Sequence, residues 1–322
     1  MPILVFVVFI VFFLSRIIPA DPIAVSAGPD ATQEQLDELA KKWNLDEPLI
    51  VQFGLYLKRL LQGDWGESIQ TRRPVIEDLK VFFPATFELT FFSMLFASLI
   101  GIVTGTIAAI RFGKWQDYVV RVYAMLGASV PAFWLGLVLL YIFYFKAGWV
   151  PGAGRLDPSL APPEYITGMY IIDSLLTGNW VVFKSSVMHM ILPACTLGFQ
   201  IAGAVARQTR ASMMQKMEEP YIKYAVAKGL GEKAVVYKHA MKNALIPVIT
   251  LIGILYGVCL SGVVFVEVIF SWPGLGRYAV GSILYLDFQP VMGVALLTTF
   301  FYILINLIVD IVYSFLDPRI KY

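Results

Sequence analysis

Charge is scarce in this chain. Asp, Glu, Lys and Arg make up 15% of its 322 residues, against 58% hydrophobic, where soluble domains carry about 25% charged residues. An ordinary soluble domain is thereby excluded. Cysteine is nearly missing too: Cys195 and Cys259 both lie inside apolar runs, which argues against a disulfide framework and a thiolate metal site. The two histidines, His189 and His239, are far apart in sequence. Neither has an evident Ser, Cys or Asp partner, so the paired groups of an intramembrane protease or lipid-modifying enzyme are not in view. Met188-His189-Met190 offers soft ligands, but the two methionines fall on opposite helix faces; His189 reads as a polar interface residue and no metal site is assigned. The lysines lack the interleaved stacking aromatics of a nucleic-acid module. No G-x-x-x-x-G-K-[ST] loop occurs, so ATP is not bound in the usual phosphate cradle.

What the chain has instead is long uncharged runs. Residues 89–110, 122–145, 187–206, 243–266 and 288–309 are each about 20 residues or more, the length that crosses roughly 30 Å of hydrocarbon as a helix. A sixth run, 1–18, is interrupted only by Arg16. The expectation is an all-α polytopic membrane protein with six transmembrane helices. It divides into a first span (1–19), a helical external segment (20–83), a five-helix core (84–316) and a short tail (317–322). Residues 207–242 carry eight Lys/Arg and residues 147–186 carry two. Cation-rich loops stay in the cytoplasm, so the first loop is placed inside, the second outside, and both termini inside.

The external segment carries eleven acids and seven bases between Asp21 and Lys80. Amphipathic patterning predicts helices at 32–43, capped by Thr32, and at 48–61. Its functional reading is a docking surface for a soluble binding protein; the competing reading is a small lid over the spans. Glu88 sits at the outer end of the second span, where charge costs little, and reads as structural. Gly101-x-x-x-Gly105 and Gly253-x-x-x-Gly257 permit close helix approach. Pro131, with Gly127 nearby, predicts a kink in the third span.

The most informative stretch is polar. In residues 218–247, Glu218, Glu219 and Pro220 make a helix start, with Pro at the first helical position. The helix stops at Gly229-Leu230-Gly231 and Glu232 opens another, which predicts two short helices meeting at a glycine corner, about 218–242. The first is too short to stand alone in water and must pack on something. From residues alone, this is either a coupling element or a basic loop that only anchors topology.

The pattern Lys223-Tyr224-Ala225-Val226-Ala227-Lys228-Gly229-Leu230-Gly231, followed by Asn243-Ala244-Leu245-Ile246-Pro247, resembles the EAA loop of ABC-importer permeases. It is most similar to the oligopeptide/dipeptide/nickel permease group. Lys223-Tyr224 stand where the wider superfamily has Glu-Ala, a departure this group tolerates. Arg16 through Pro22, residues 63–75, the run Glu267, Phe270, Pro273-Gly274-Leu275-Gly276-Arg277, Asp287, Pro290, and the Leu316–Ile320 ending also match. Relatives begin with a basic stretch before the first span, so the first helix is expected to begin upstream of Met1.

The resemblance implies a type I ABC importer permease fold and no catalysis or cofactor on this chain. ATP and Mg would be bound by two partner ATPase subunits. A homologous second permease, an external solute-binding protein and the lipid bilayer complete the implied partners. ATPase coupling would fall on Tyr221, Tyr224, Ala225, Ala227, Lys228, Gly229, Leu230 and Gly231. Candidate pathway or gate residues are Glu267, Arg277, Asn306 and Asp310; Glu267 could equally cap its turn, and Asn306 and Asp310 share one helix face. The implied cargo is a di- or oligopeptide, with nickel, glutathione or oligosaccharide as alternatives on the same machinery. A secondary transporter would show intramembrane acids or internal repeats, which are not evident; a structural membrane protein is the remaining rival.

Overall fold

The computed structural model describes residues 2–17, 32–34 and 46–316. Among the described residues the chain is helical, with one isolated bridge between Glu67 and Pro74. In order the helices are α1 (Pro2–Ile17), α2 (Leu49–Leu61), α3 (Val75–Ile110), α4 (Trp115–Ser129) and α5 (Ala132–Leu139), which runs on as π-helical turns over Leu140–Lys146. There follow α6 (Tyr170–Leu176), α7 (Trp180–Met217), α8 (Pro220–Ala227), a π-helical stretch Ala234–Ala240, α9 (Met241–Gly262), α10 (Val264–Ile269), α11 (Leu275–Leu284) and α12 (Phe288–Leu316). The helix expected at 32–43 lies outside the described residues beyond its first three positions, and the tail 317–322 lies outside them entirely.

Among the described residues, four stretches are long and apolar enough to cross a membrane singly: Val75–Ile110, Trp180–Met217, Ala234–Cys259 and Phe288–Val309. A fifth is broken, α4 and α5 together, and the sixth expected span is α1, 16 residues long. The polytopic all-α fold is therefore as the uncharged runs indicate.

The chain clusters into two compact units, Met1–Thr86 with Pro273–Phe301, and Phe87–Trp272 with Tyr302–Tyr322. In the first, Val75, Leu79, Leu275, Tyr278 and Val294 form a buried core against Trp65, Phe82 and Leu297. Tyr278 stacks on Phe82 at 4.5 Å. The loop before α3 is clamped by two buried carboxylates. Asp287 Oδ2 accepts from the Ser68 hydroxyl (2.7 Å) and the Gln70 N–H (3.1 Å). Asp78 Oδ2 accepts from Thr71 (2.6 Å) and from the Tyr278 hydroxyl (2.8 Å). Burial pushes the Asp287 carboxyl above its ordinary range, against the pull of those two donors.

In the second unit, small residues set the helix spacing. A Cβ on Gly101 would lie 2.6 Å from Val205 Cβ, and one on Gly105 would lie 2.5 Å from the Ala206 carbonyl, so α3 and α7 approach at backbone distance. Gly253 and Gly257 on α9 are likewise occupied by Val309 and Tyr302 of α12. The Pro131 kink is a 108° bend. Pro131 donates no backbone hydrogen bond, and the Val130 carbonyl is taken by Gln200 Nε2 of α7 at 2.5 Å. Arg210 grips Asp117 with two bonds, Nε to Oδ1 at 2.6 Å and Nη2 to Oδ2 at 3.0 Å, which fixes the turn between α3 and α4.

Candidate coupling site

Helix α8 begins as its sequence dictates. Glu219 is extended (φ −64°, ψ 146°) and Pro220 takes the first helical position. The helix ends at Lys228. The Gly229 N–H donates to the Val226 carbonyl (2.9 Å) and the Leu230 N–H to the Ala225 carbonyl (3.3 Å). This paired closure is a Schellman motif, and it places Gly229 at φ +79°, where a side chain would be strained. The chain then re-enters helix at Glu232. The expectation of two short helices is corrected here: the second is not short, but continues through the Ala234–Ala240 π-helical stretch into α9 without a break. The glycine corner is thus mounted directly on the end of a membrane span.

The corner has a buried and a bare face. Ile222 and Ala225 pack into a core with Ala109 of α3, Met213 of α7, and Val235, Val236, Ala240 and Ala244 at the head of α9. Met214, Met217 and Met241 line its edge. Three spans therefore meet beneath a helix of eight residues, which supplies the packing that its length demands. On the other face Tyr221, Tyr224, Val226, Leu230 and Tyr237 are exposed, as are Ala227, Lys228, Gly229 and Gly231. Lys228 Nζ lies 4.6 Å from the Tyr224 ring, and the Tyr221 hydroxyl accepts from Asn243 Nδ2 at 3.1 Å. A Cβ on Gly229 or Gly231 would meet nothing within 4 Å. The structure thus gathers the eight coupling candidates at one corner, with Ala225 turned into the core and the others presented outward.

The four pathway candidates lie on three helices, α10, α11 and α12. Glu267, on α10, is fully buried, and its carbonyl accepts the Trp272 N–H at 2.8 Å. It belongs to the second unit, while exposed Arg277 on α11 belongs to the first. Asn306 Nδ2 donates to the Tyr302 carbonyl of its own helix (2.9 Å). The Asp310 side chain lies outside the described residues. His189 is buried and its Nδ1 lies 2.8 Å from the Ser185 carbonyl, an intrahelical contact.

Sequence reasoning underrated Glu88. Its carboxylate is buried and bonds Arg155 Nη2 at 2.5 Å and the Ile171 N–H at 2.7 Å. Arg155 also donates to the Gly168 carbonyl (2.9 Å) and lies 3.8 Å from the Tyr170 ring. The available signal was that Arg155 is one of only two cations in residues 147–186.

Residues 101–322 match the family model described as "Binding-protein-dependent transport system inner membrane component", and residues 1–90 match the model of its N-terminal part. The probable D,D-dipeptide transport system permease protein DdpB of Escherichia coli is 47% identical over 311 residues, 97% of this chain and 92% of that one. The dipeptide transport system permease protein DppB of Alkalihalophilus pseudofirmus is 40% identical, covering 100% and 96%. A glutathione transport system permease protein, GsiC of Salmonella choleraesuis, is 38% identical, covering 100% and 95%. Among solved structures, the MetNI methionine ABC transporter in an inward-facing conformation aligns with TM-score 0.53 at 15% identity, over 72% of this chain and 93% of that one, which shows a shared fold. The chain belongs to the inner-membrane-component family of binding-protein-dependent transport systems, in its peptide-permease group.

Proposed function

We propose that this chain is the permease subunit that passes di- or oligopeptides across the inner membrane from an external binding protein, driven by ATPase subunits docked at the Gly229 corner. The observation that carries the coupling is the two-faced corner. Its exposed face offers Tyr221, Tyr224, Val226, Lys228 and Leu230, and its buried face holds together the ends of α3, α7 and α9. A partner that moves the corner moves three spans. The eight Lys/Arg of residues 207–242 support a cytoplasmic position for this face, and in this proposal both termini lie on the same side. ATP and Mg are bound by two partner ATPases, and a second permease completes the conduit. Closure of the ATPase pair draws the two permease corners together and rocks the spans outward; hydrolysis returns them.

The peptide assignment follows the names of the dipeptide permeases that resemble the chain. Glutathione, itself a tripeptide, is the second reading, favoured by the relative from Salmonella choleraesuis. Identifying the solute retained by the cognate binding protein separates the two. The coupling is tested by reconstituting the transporter and measuring solute-stimulated ATP hydrolysis in the Gly229→Arg variant. Loss of stimulation with normal membrane insertion is expected; undiminished stimulation overturns the proposal.

A further inference from the structure

Helix α2 carries an apolar stripe whose two ends its packing leaves bare, with Leu57 between them half-buried. It is held to α1 by one face only: Phe53 meets Phe9 and Phe12, each at 5.4 Å, and Tyr56 stacks on Phe12 at 5.6 Å. At 100° per residue, Ile50, Gly54, Leu57 and Leu61 recur at i, i+4, i+7 and i+11 and fall within roughly 60° of one another, about 100° round from that aromatic face. Ile50 and Leu61 are 80% and 88% exposed. Beyond the stripe on its far side come Lys58, Gln62 and Arg59. The helix contains no acidic residue, so it carries a net positive charge.

We infer that α2 lies along the bilayer surface, with Ile50, Leu57 and Leu61 inserted at the boundary between headgroups and acyl chains and with Lys58 and Arg59 set against lipid phosphates. Two observations select lipid as the occupant. The helix against which α2 packs, α1, exposes Val5, Phe6, Phe9 and Ile10 and belongs to a membrane-embedded family, and its Phe9 meets Phe53 of α2. The charge on α2 also complements phosphate. A helix of this kind, with an apolar face and a cationic flank, settles about 5–10 Å into the interface. A soluble protein docking on the external segment would have to use surfaces other than this stripe.

Spin labels test this. Single cysteines are placed at positions 50, 57, 61 and 62 of the full chain, with Cys195 and Cys259 replaced by alanine, and the labelled protein is reconstituted in phosphatidylethanolamine–phosphatidylglycerol vesicles. The expected result is several-fold greater relaxation by oxygen than by a water-soluble nickel chelate at 50, 57 and 61, with the order reversed at 62. Preference for the chelate at all four positions overturns the inference, because the stripe is then in water. Low accessibility to both reagents at 50, 57 and 61 also overturns it, because protein then covers the stripe.

Discussion

Arg155 reaches Glu88 across 67 positions of sequence, Nη2 to Oε2 at 2.5 Å, with side chains 5% and 1% exposed. The pair ties the connection between α5 and α6 to α3. Removing one partner strands the other charge in a buried site. Glu88→Leu and Arg155→Met should each destabilise the detergent-purified protein by about 3–5 kcal/mol. The double variant should recover much of that loss, because it leaves no isolated charge. A double-mutant cycle on thermal unfolding checks this; simple additivity would show that the two side chains do not act as a pair.

Gly229 and Gly231 should behave differently although they stand two residues apart. Gly229 has φ +79°, and Gly231 has open space around its Cβ position with no such constraint. Gly229→Ala should cost about 1–2 kcal/mol, and Gly231→Ala should leave thermal stability unchanged. A bulkier Gly231→Trp should then reduce ATPase stimulation without lowering the melting temperature, if a partner seats there. Stability and solute-stimulated hydrolysis, measured on the same preparations, separate the two effects.

The α3–α7 contact should be intolerant of added volume. Gly105→Leu forces side-chain atoms into the space of Ala206 and Thr209, and overpacking of this kind costs about 1–3 kcal/mol. Gly54→Ala, where a Cβ meets nothing within 4 Å, is the matched control. Monodispersity on size exclusion and melting temperature should fall for the first and hold for the second.

The Asp287 clamp predicts a pH response. Its carboxyl titrates above the unfolded value because burial disfavours the charge. Its stabilising contribution is therefore full below the unfolded carboxylate pKa and is lost as pH rises through the higher folded value. The charged and titratable groups around it are Asp78, which raises it further, Tyr278, and Arg73, which pairs with Asp78 at 3.7 Å. Thermal stability of the wild type should decline over that rise, and Asp287→Asn should flatten this component.

Much of this architecture is written locally. Pro220 and Gly229 mark the limits of α8 because capping chemistry acts within a turn, and Pro131 marks the break between α4 and α5 because a missing donor cannot be hidden. The start of α3 was less legible. The apolar run suggests 84, yet the helix begins at Val75, just after Pro74 and with Glu77 and Asp78 in its first turn. Hydropathy reports the lipid-facing length, whereas capping reports the backbone, and a helix that protrudes from the bilayer separates the two. Pairs such as Glu88–Arg155 and Asp117–Arg210 leave no periodic trace, because their partners come together only through tertiary packing. The π-helical stretch before α9 was hidden for a related reason: no residue type specifies it alone.

The unbroken helical path from Glu232 to Gly262 has a mechanical meaning. Its 31 residues make a strut of roughly 46 Å at 1.5 Å per residue, gripped partway along by α12 where Val309 and Tyr302 fill the notches at Gly253 and Gly257. Its other end is held by α3 and α7 through Val235, Val236 and Ala240, so a force applied at the Gly231 corner would be shared among four helices rather than absorbed by one.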